Sequence, residues 1–275
     1  MSANSRMERY HSTREAPTPQ PQASQPYRRR PALARWVALL IALLTLTVGL
    51  KLTVFNASYT AGVVSRSSTG EKVMNRVNNG LTDLGISGDP VSATLIQPYL
   101  AQGIAQLYGQ STATVDDTAL ANAIQSQASS VGVTASTTLT RKLTQRVQKL
   151  ATQAFTTTAM QTAATRIQWA MRLNWLVMIA VVLLSIVTVI YAAGVHHFLA
   201  SLGPGLALGG GLTMVLSGLG WFVGLPMVTA ALSGSVASLS TTVGQSGLGV
   251  ILFAGAAEVV LGFLVLLGHR TFRRS

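Results

Sequence analysis

"RRRPALARWVALLIALLTLTVGLKLTVF", residues 28–55, passes from three consecutive arginines into a run of Leu, Ala, Val, Ile and Thr. From Ala34 to Phe55 this run is long enough to cross a bilayer, which takes ~20 mainly apolar residues. Three further windows meet the same length: Leu173 to Ala193, Leu206 to Leu225, and Gly247 to Leu267. The third is rich in glycine, which membrane helices tolerate more readily than soluble ones. The expected fold class is therefore an all-α integral membrane protein with four transmembrane helices.

Composition agrees. Of 275 residues, 10% are charged and 49% apolar, whereas soluble domains carry about a quarter charged residues. The net charge of +12 is concentrated at the two chain ends, in "RRRPALAR" (Arg28–Arg35) and "HRTFRRS" (His269–Ser275). Basic residues next to span ends mark the cytoplasmic side and meet anionic lipid headgroups there. An even number of spans puts both ends on one side, so both termini are expected in the cytoplasm of a cell membrane. No aromatic-interleaved basic platform occurs, so nucleic acid is not an expected partner. There is no cysteine, which excludes disulfides, thiolate metal sites and a cysteine nucleophile. Arginine outnumbers lysine sixteen to four, read here as a bacterial bias. The first window is longer than a signal-peptide core and no clean A-x-A site follows it, so it reads as an uncleaved anchor.

Residues 1–33 read as a disordered basic tail, with the Pro/Gln-rich "APTPQPQASQP" extended. Between spans one and two, Asn56 to Arg172 form an expected extracytoplasmic helical domain, folded as an antiparallel bundle. Val73, Val77, Leu81 and Leu84 share one helical face, and Asp89-Pro90 suits the start of the next helix. "DDTALANAIQSQ" opens on two aspartates, which favour a helix N-terminus. From Thr137 onward Leu139, Leu143, Val147, Leu150 and Ala154 recur at threes and fours, with Ile167 and Met171 resuming the pattern. No Gly or Pro intervenes, so one continuous helix is expected from Thr137 into span two. The faces are thin in apolar side chains, so a protein partner or self-association is expected to support the domain.

The remaining segments are a cytoplasmic turn (194–205), a loop (226–246) that is either a plain outer loop or partly re-entrant, and a basic tail (268–275). Adjacent His196 and His197 diverge on a helix and have no carboxylate or thiol nearby, so no metal site is expected. No nucleotide, zinc-protease or serine-hydrolase motif is present; "GQSGLG" (Gly244–Gly249) misses the G-x-S-x-G spacing. No cofactor and no catalytic set are expected. Asn56 heads a glycosylation sequon too close to the membrane to use.

Two intramembrane features remain. Gly203, Ala207 and Gly211 repeat at four, as do Gly220 and Gly224, the small-xxx-small spacing that lets helix backbones approach closely. In "AGAAEVVLG" (Ala254–Gly262), Glu258 falls close to the middle of its span at ~1.5 Å rise per residue. Thr45, Ser185 and Ser217 come to similar depth by the same count, which makes a polar cluster of a neutral carboxyl and hydroxyls. Lys51 counts roughly 8 Å nearer the outer face. A carboxylate facing lipid would cost at least ~2.5 kcal/mol, so Glu258 should face the bundle. It serves either as interhelical glue or as part of an ion or proton path, and glue is the preferred reading.

Two functions compete. One is a non-enzymatic protein whose outer helical domain senses or docks a ligand or partner, on the span–outer helices–span plan of chemoreceptors. The other is a permease or accessory transport subunit, similar in layout to four-span permeases that work with ATPases. That similarity is of layout and rests on no motif.

Overall fold

The computed structural model describes residues 31–272 except 84–87, 89–90, 112–114, 131, 133–135, 154, 195–197 and 233. Ten α-helices cover most of that chain, and no strand occurs among the described residues. Helix α1 (Pro31–Leu52) begins at a proline, whose fixed φ and missing N–H suit a first helical position. Then come α2 (Ala57–Ser65), α3 (Ser68–Thr82), α4 (Ala93–Leu107), α5 (Thr118–Ser130) and α6 (Thr137–Gln153). The long α7 (Thr158–Gly194), α8 (Phe198–Leu219), the short α9 (Leu225–Ala230) and α10 (Gly234–Phe272) complete the order.

Four of these helical stretches are long and apolar enough to cross a membrane: Ala32–Leu52, Thr158–Gly194, Ser201–Ala230 and Val236–Gly268. Their outer surfaces show why. Phe222 is 80% exposed, Phe253 75% and Ile190 67%, a contiguous apolar exterior that water would penalise and lipid would not. Trp175 and Tyr191 are exposed sixteen residues apart on α7, about 24 Å of rise, which suits amphipathic rings near two membrane interfaces.

Close approaches fix the direction of each span. Gly49 meets Ile251 and Gly247 meets Val54, so α1 and α10 are antiparallel. Gly205 meets Val37 and Gly209 meets Ile41, so α1 and α8 are parallel. The Trp36 indole donates to Thr188 Oγ1 (3.2 Å) and the Asn174 amide to the Thr47 carbonyl (3.0 Å), so α7 descends along α1. Helices α1, α8 and α10 form a tight three-helix core, and α7 packs mainly on α1. Pro31 and Phe272 therefore lie at the end opposite a helical head made of α2–α6.

Ile96, Leu100, Ile104, Leu120 and Ile124 are almost wholly buried in the head. Val73, Val77 and Leu81 form one buried face of α3; Leu84 and the Asp89-Pro90 start lie outside the described residues. Helix α4 begins after Ser92. In α6 the buried face is Thr140, Leu143, Thr144, Val147 and Ala151, while Leu139 is 41% exposed. Asp117 accepts a hydrogen bond from the Tyr99 hydroxyl (2.8 Å), and Asp116 caps α5 through the Thr118 N–H (3.0 Å).

Three expectations from the sequence are corrected. The helix from Thr137 does not run unbroken into span two: the chain turns at Phe155–Thr157. Phe155 drops into the head core, packed over Gly103, and Thr157 restarts the helix, its Oγ1 accepting from the Met160 N–H (3.4 Å). A run of β-branched threonines gives the helix little reason to continue there. Second, residues 226–246 are not a plain loop. Most of them are α9 and the first three turns of α10, and Val243 is buried in the head core. Third, the turn expected to reach residue 205 is shorter, since α8 starts at Phe198, and α10 carries the expected tail helically to Phe272. Between α8 and α9, Gly220–Gly224 form a π turn in which the Leu225 N–H reaches back five residues to Gly220. Pro226 follows, and the register slips where the proline has no N–H to give.

Candidate functional site

The carboxyl singled out by the sequence is held in the narrowest seam of the span bundle. On α8, Gly203, Ala207 and Gly210 face α10 at spacings of four and three. On α10, Gly255, Glu258 and Gly262 answer at three and four. A Cβ at Gly262 would lie 2.8 Å from Ala207 Cα, and one at Gly210 would lie 2.8 Å from Glu258 Cβ. Only hydrogen fits at these points, so the backbones touch beside Glu258, whose carboxyl reaches out to α1.

Glu258 Oε1 accepts a hydrogen bond from Thr45 Oγ1 on α1. Its Oε2 is buried with no hydrogen-bond partner among the described residues, as is Ser217 Oγ. The two other residues of the expected cluster stand apart from it. The contacts Gly210–Glu258 and Gly220–Leu248 put Ser217 level with Ile251, about two turns from the carboxyl. The bonds Trp36–Thr188 and Asn174–Thr47 put Ser185 opposite residues 37–39, also about two turns from Thr45. Counting from apolar window edges misplaces both, because α7 and α8 each extend beyond the windows and are staggered along the bundle.

Of the expected packing residues, Gly203 meets Leu266 and Val265, Ala207 meets Gly262, and Gly220 meets Leu248. Gly211 has open space where a Cβ would go, and Gly224 approaches only its own helix. The seam also uses Gly210, Gly255 and Gly262, and Gly205 and Gly209 pack against α1. The α8–α10 seam runs in alternating threes and fours, which a search at strict fours does not find, whereas Gly205 and Gly209 are themselves four apart.

Lys51 does not reach Glu258. It is exposed at the end of α1, where it lines a cavity of about 430 Å³ with Phe55, Asn56, Asn174 and Trp175. Thr45 is only two residues, ~3 Å of rise, from Thr47, whose carbonyl receives the Asn174 amide. The carboxyl is thus closer to this polar layer beneath the head than to the opposite membrane edge. His196 and His197 lie outside the described residues.

Comparisons with family models, curated proteins and solved structures find no match.

The head and the spans share side chains. Val243 of α10 is 6% exposed and belongs to the head core, against which Leu239 of α10, Val54 after α1, and Ile167 and Met171 of α7 also pack. Tyr59 Oη and Ser246 Oγ are 2.7 Å apart, and Thr69 Oγ1 and Ser238 Oγ 3.3 Å, joining α2 and α3 to α10. The sequence hid this junction because "SVASLSTTVGQS" (Ser235–Ser246) has the small, polar text of a loop.

Proposed function

We propose that this chain is a non-enzymatic bacterial membrane protein whose helical head lies outside the cytoplasm and senses or docks a ligand or partner protein. The observation that carries the reading is the shared core. Two unbroken helices, α7 and α10, run from the head into the spans, and α10 completes the head core with Val243. Anything that repacks the head therefore acts directly on two spans, which is the coupling a sensing or docking protein requires. The basic chain ends support the cytoplasmic placement of both termini. The reading is tested by placing photo-crosslinking residues at exposed head positions Arg76 and Gln125 and at lipid-facing Phe253 and Phe263, in native membranes. Head-docking expects a discrete adduct from the head positions. Adducts from the span positions alone would overturn it.

One observation favours a second reading, a permease or accessory transport subunit. Glu258 has one oxygen bound to Thr45 and the other buried without a partner among the described residues, as a group that takes up and releases a cation would. Co-purification of an ATPase in mild detergent would support this alternative.

A further inference from the structure

Beneath the head, a second cavity of about 240 Å³ opens between α4, α7, α9 and α10. We propose that it binds one acyl chain of a bilayer lipid, drawn upward out of the membrane into the underside of the head.

The lining carries no charged residue, so nothing there would neutralise an ionised ligand. Two of its three hydroxyls are spent internally: Tyr108 Oη donates to the Val54 carbonyl (2.7 Å) and lies 3.2 Å from Thr60 Oγ1. Apart from the Ser240 hydroxyl, what remains is hydrocarbon, from Ile104 and Leu107 above, Ala163 and Ile167 on one side, and Leu225 and Val228 below. An apolar cavity of ~150 Å³ already stays dry and takes up apolar guests, and this one is larger.

Its position selects the guest. Val228 belongs to the cavity and is also 57% exposed, on the helix that carries Met227 (70%) and follows Phe222 (80%). The cavity wall is thus continuous with the lipid-facing surface of the third span. A chain already in the bilayer enters without crossing water, so it loses none of its hydrocarbon environment. A soluble apolar molecule would have to reach the same place through the head. The proposal is independent of whether the head docks a partner.

The test uses the full chain in phosphatidylcholine nanodiscs doped with phosphatidylcholine bearing a mid-chain diazirine. After photolysis, the peptide containing Ile104 and Leu107, which belongs to the head, should be labelled well above the peptide containing the buried head residue Ile124. Ala163→Phe, which fills the cavity from α7, should lower that labelling roughly tenfold and leave the Phe253–Phe263 segment unchanged. Should Ala163→Phe lose its helical circular dichroism, Ser240→Leu fills the cavity from α10 and the same comparison applies. Labelling confined to the spans, or head labelling that a folded filling variant leaves intact, would overturn the proposal. So would labelling of Ile104 and Leu107 by a water-soluble apolar diazirine but not by the lipid.

Discussion

Asn78 holds Val91 by both edges of its amide: Nδ2 donates to the Val91 carbonyl (3.2 Å) and Oδ1 accepts the Val91 N–H (3.1 Å). Both residues are buried, so α3 is tied to the entry of α4 by a pair that water cannot replace. Asn78→Ala should lower the stability of the head by about 1–3 kcal/mol, the cost of burying unsatisfied backbone groups. Asn78→Asp, which keeps the acceptor and loses the donor, should also destabilise. Thermal unfolding of the full chain in detergent checks both; a melting point unchanged in Asn78→Ala would contradict the assignment.

Tyr99 gives the head an alkaline limit. Burial, followed by the hydrogen bond to Asp117 and the charges of Asp117 and Asp116, pushes its phenol well above the usual value of about 10. Burial raises the Tyr108 phenol too, partly offset by Thr60. A phenol whose folded pKa is raised contributes its full stability below the unfolded value and loses it as pH climbs toward the folded one. Stability should therefore fall above about pH 10, and Tyr99→Phe should flatten that decline, leaving the share due to Tyr108. A melting profile of Tyr99→Phe parallel to the parent above that pH would refute this.

Neighbouring glycines on α8 should behave oppositely. A methyl group at Gly210 meets Glu258 Cβ and the Val259 N–H nitrogen at 2.8 Å, whereas at Gly211 it meets nothing within 4 Å. Gly210→Ala must part α8 from α10, with an overpacking cost of about 1–3 kcal/mol. Gly211→Ala should be neutral or slightly stabilising. Equal melting points for the two variants would show that the seam is not where the close approach lies.

Thr45 and Glu258 are the glue-or-path question in a single bond. As glue, Glu258→Gln keeps a side-chain acceptor for Thr45 and should preserve assembly. Glu258→Leu should cost only about 0.6 kcal/mol, because Thr45 can turn to its own helix as Thr47 and Thr213 do. If Glu258 instead carries a cation, Gln abolishes activity in a normally assembled protein. Stability and phenotype measured on the same Gln variant separate the cases.

The spans were readable because a bilayer demands length and apolarity, and both are local properties of sequence. Glu258 stood out for the same reason. Its partner did not, because composition gives a residue's approximate depth and not its azimuth or the stagger of its helix; Thr45 turns toward the carboxyl, while Ser185 and Ser217 sit two turns away. The turn at Phe155 was hidden since threonine weakens a helix without marking its end as Gly or Pro does. The upper part of α10 was hidden because its apolar face, with Leu239 and Val243 four apart, is sparse among serines and threonines, and its burial in the head is a long-range contact.

The head alone, Asn56 to Arg166, should be mainly helical by circular dichroism but less stable than in the full chain, since it lacks Val243, Leu239 and Ile167. A peptide covering residues 234–246, added in trans, should raise its melting point. Equal stability of fragment and full chain would mean that α10 contributes nothing to the head core.

That shared core sets an order on biogenesis. Five head helices leave the ribosome early, yet the valine that closes their interior arrives with α10, some ninety residues after α6 ends at Gln153. Until the fourth span is threaded, the emerging head keeps an apolar gap where Val243 will sit, and remains exposed to proteases and chaperones. Maturation of the head thus reports that membrane insertion has been completed, and a chain stalled before α10 would be recognised as unfinished by its own interior.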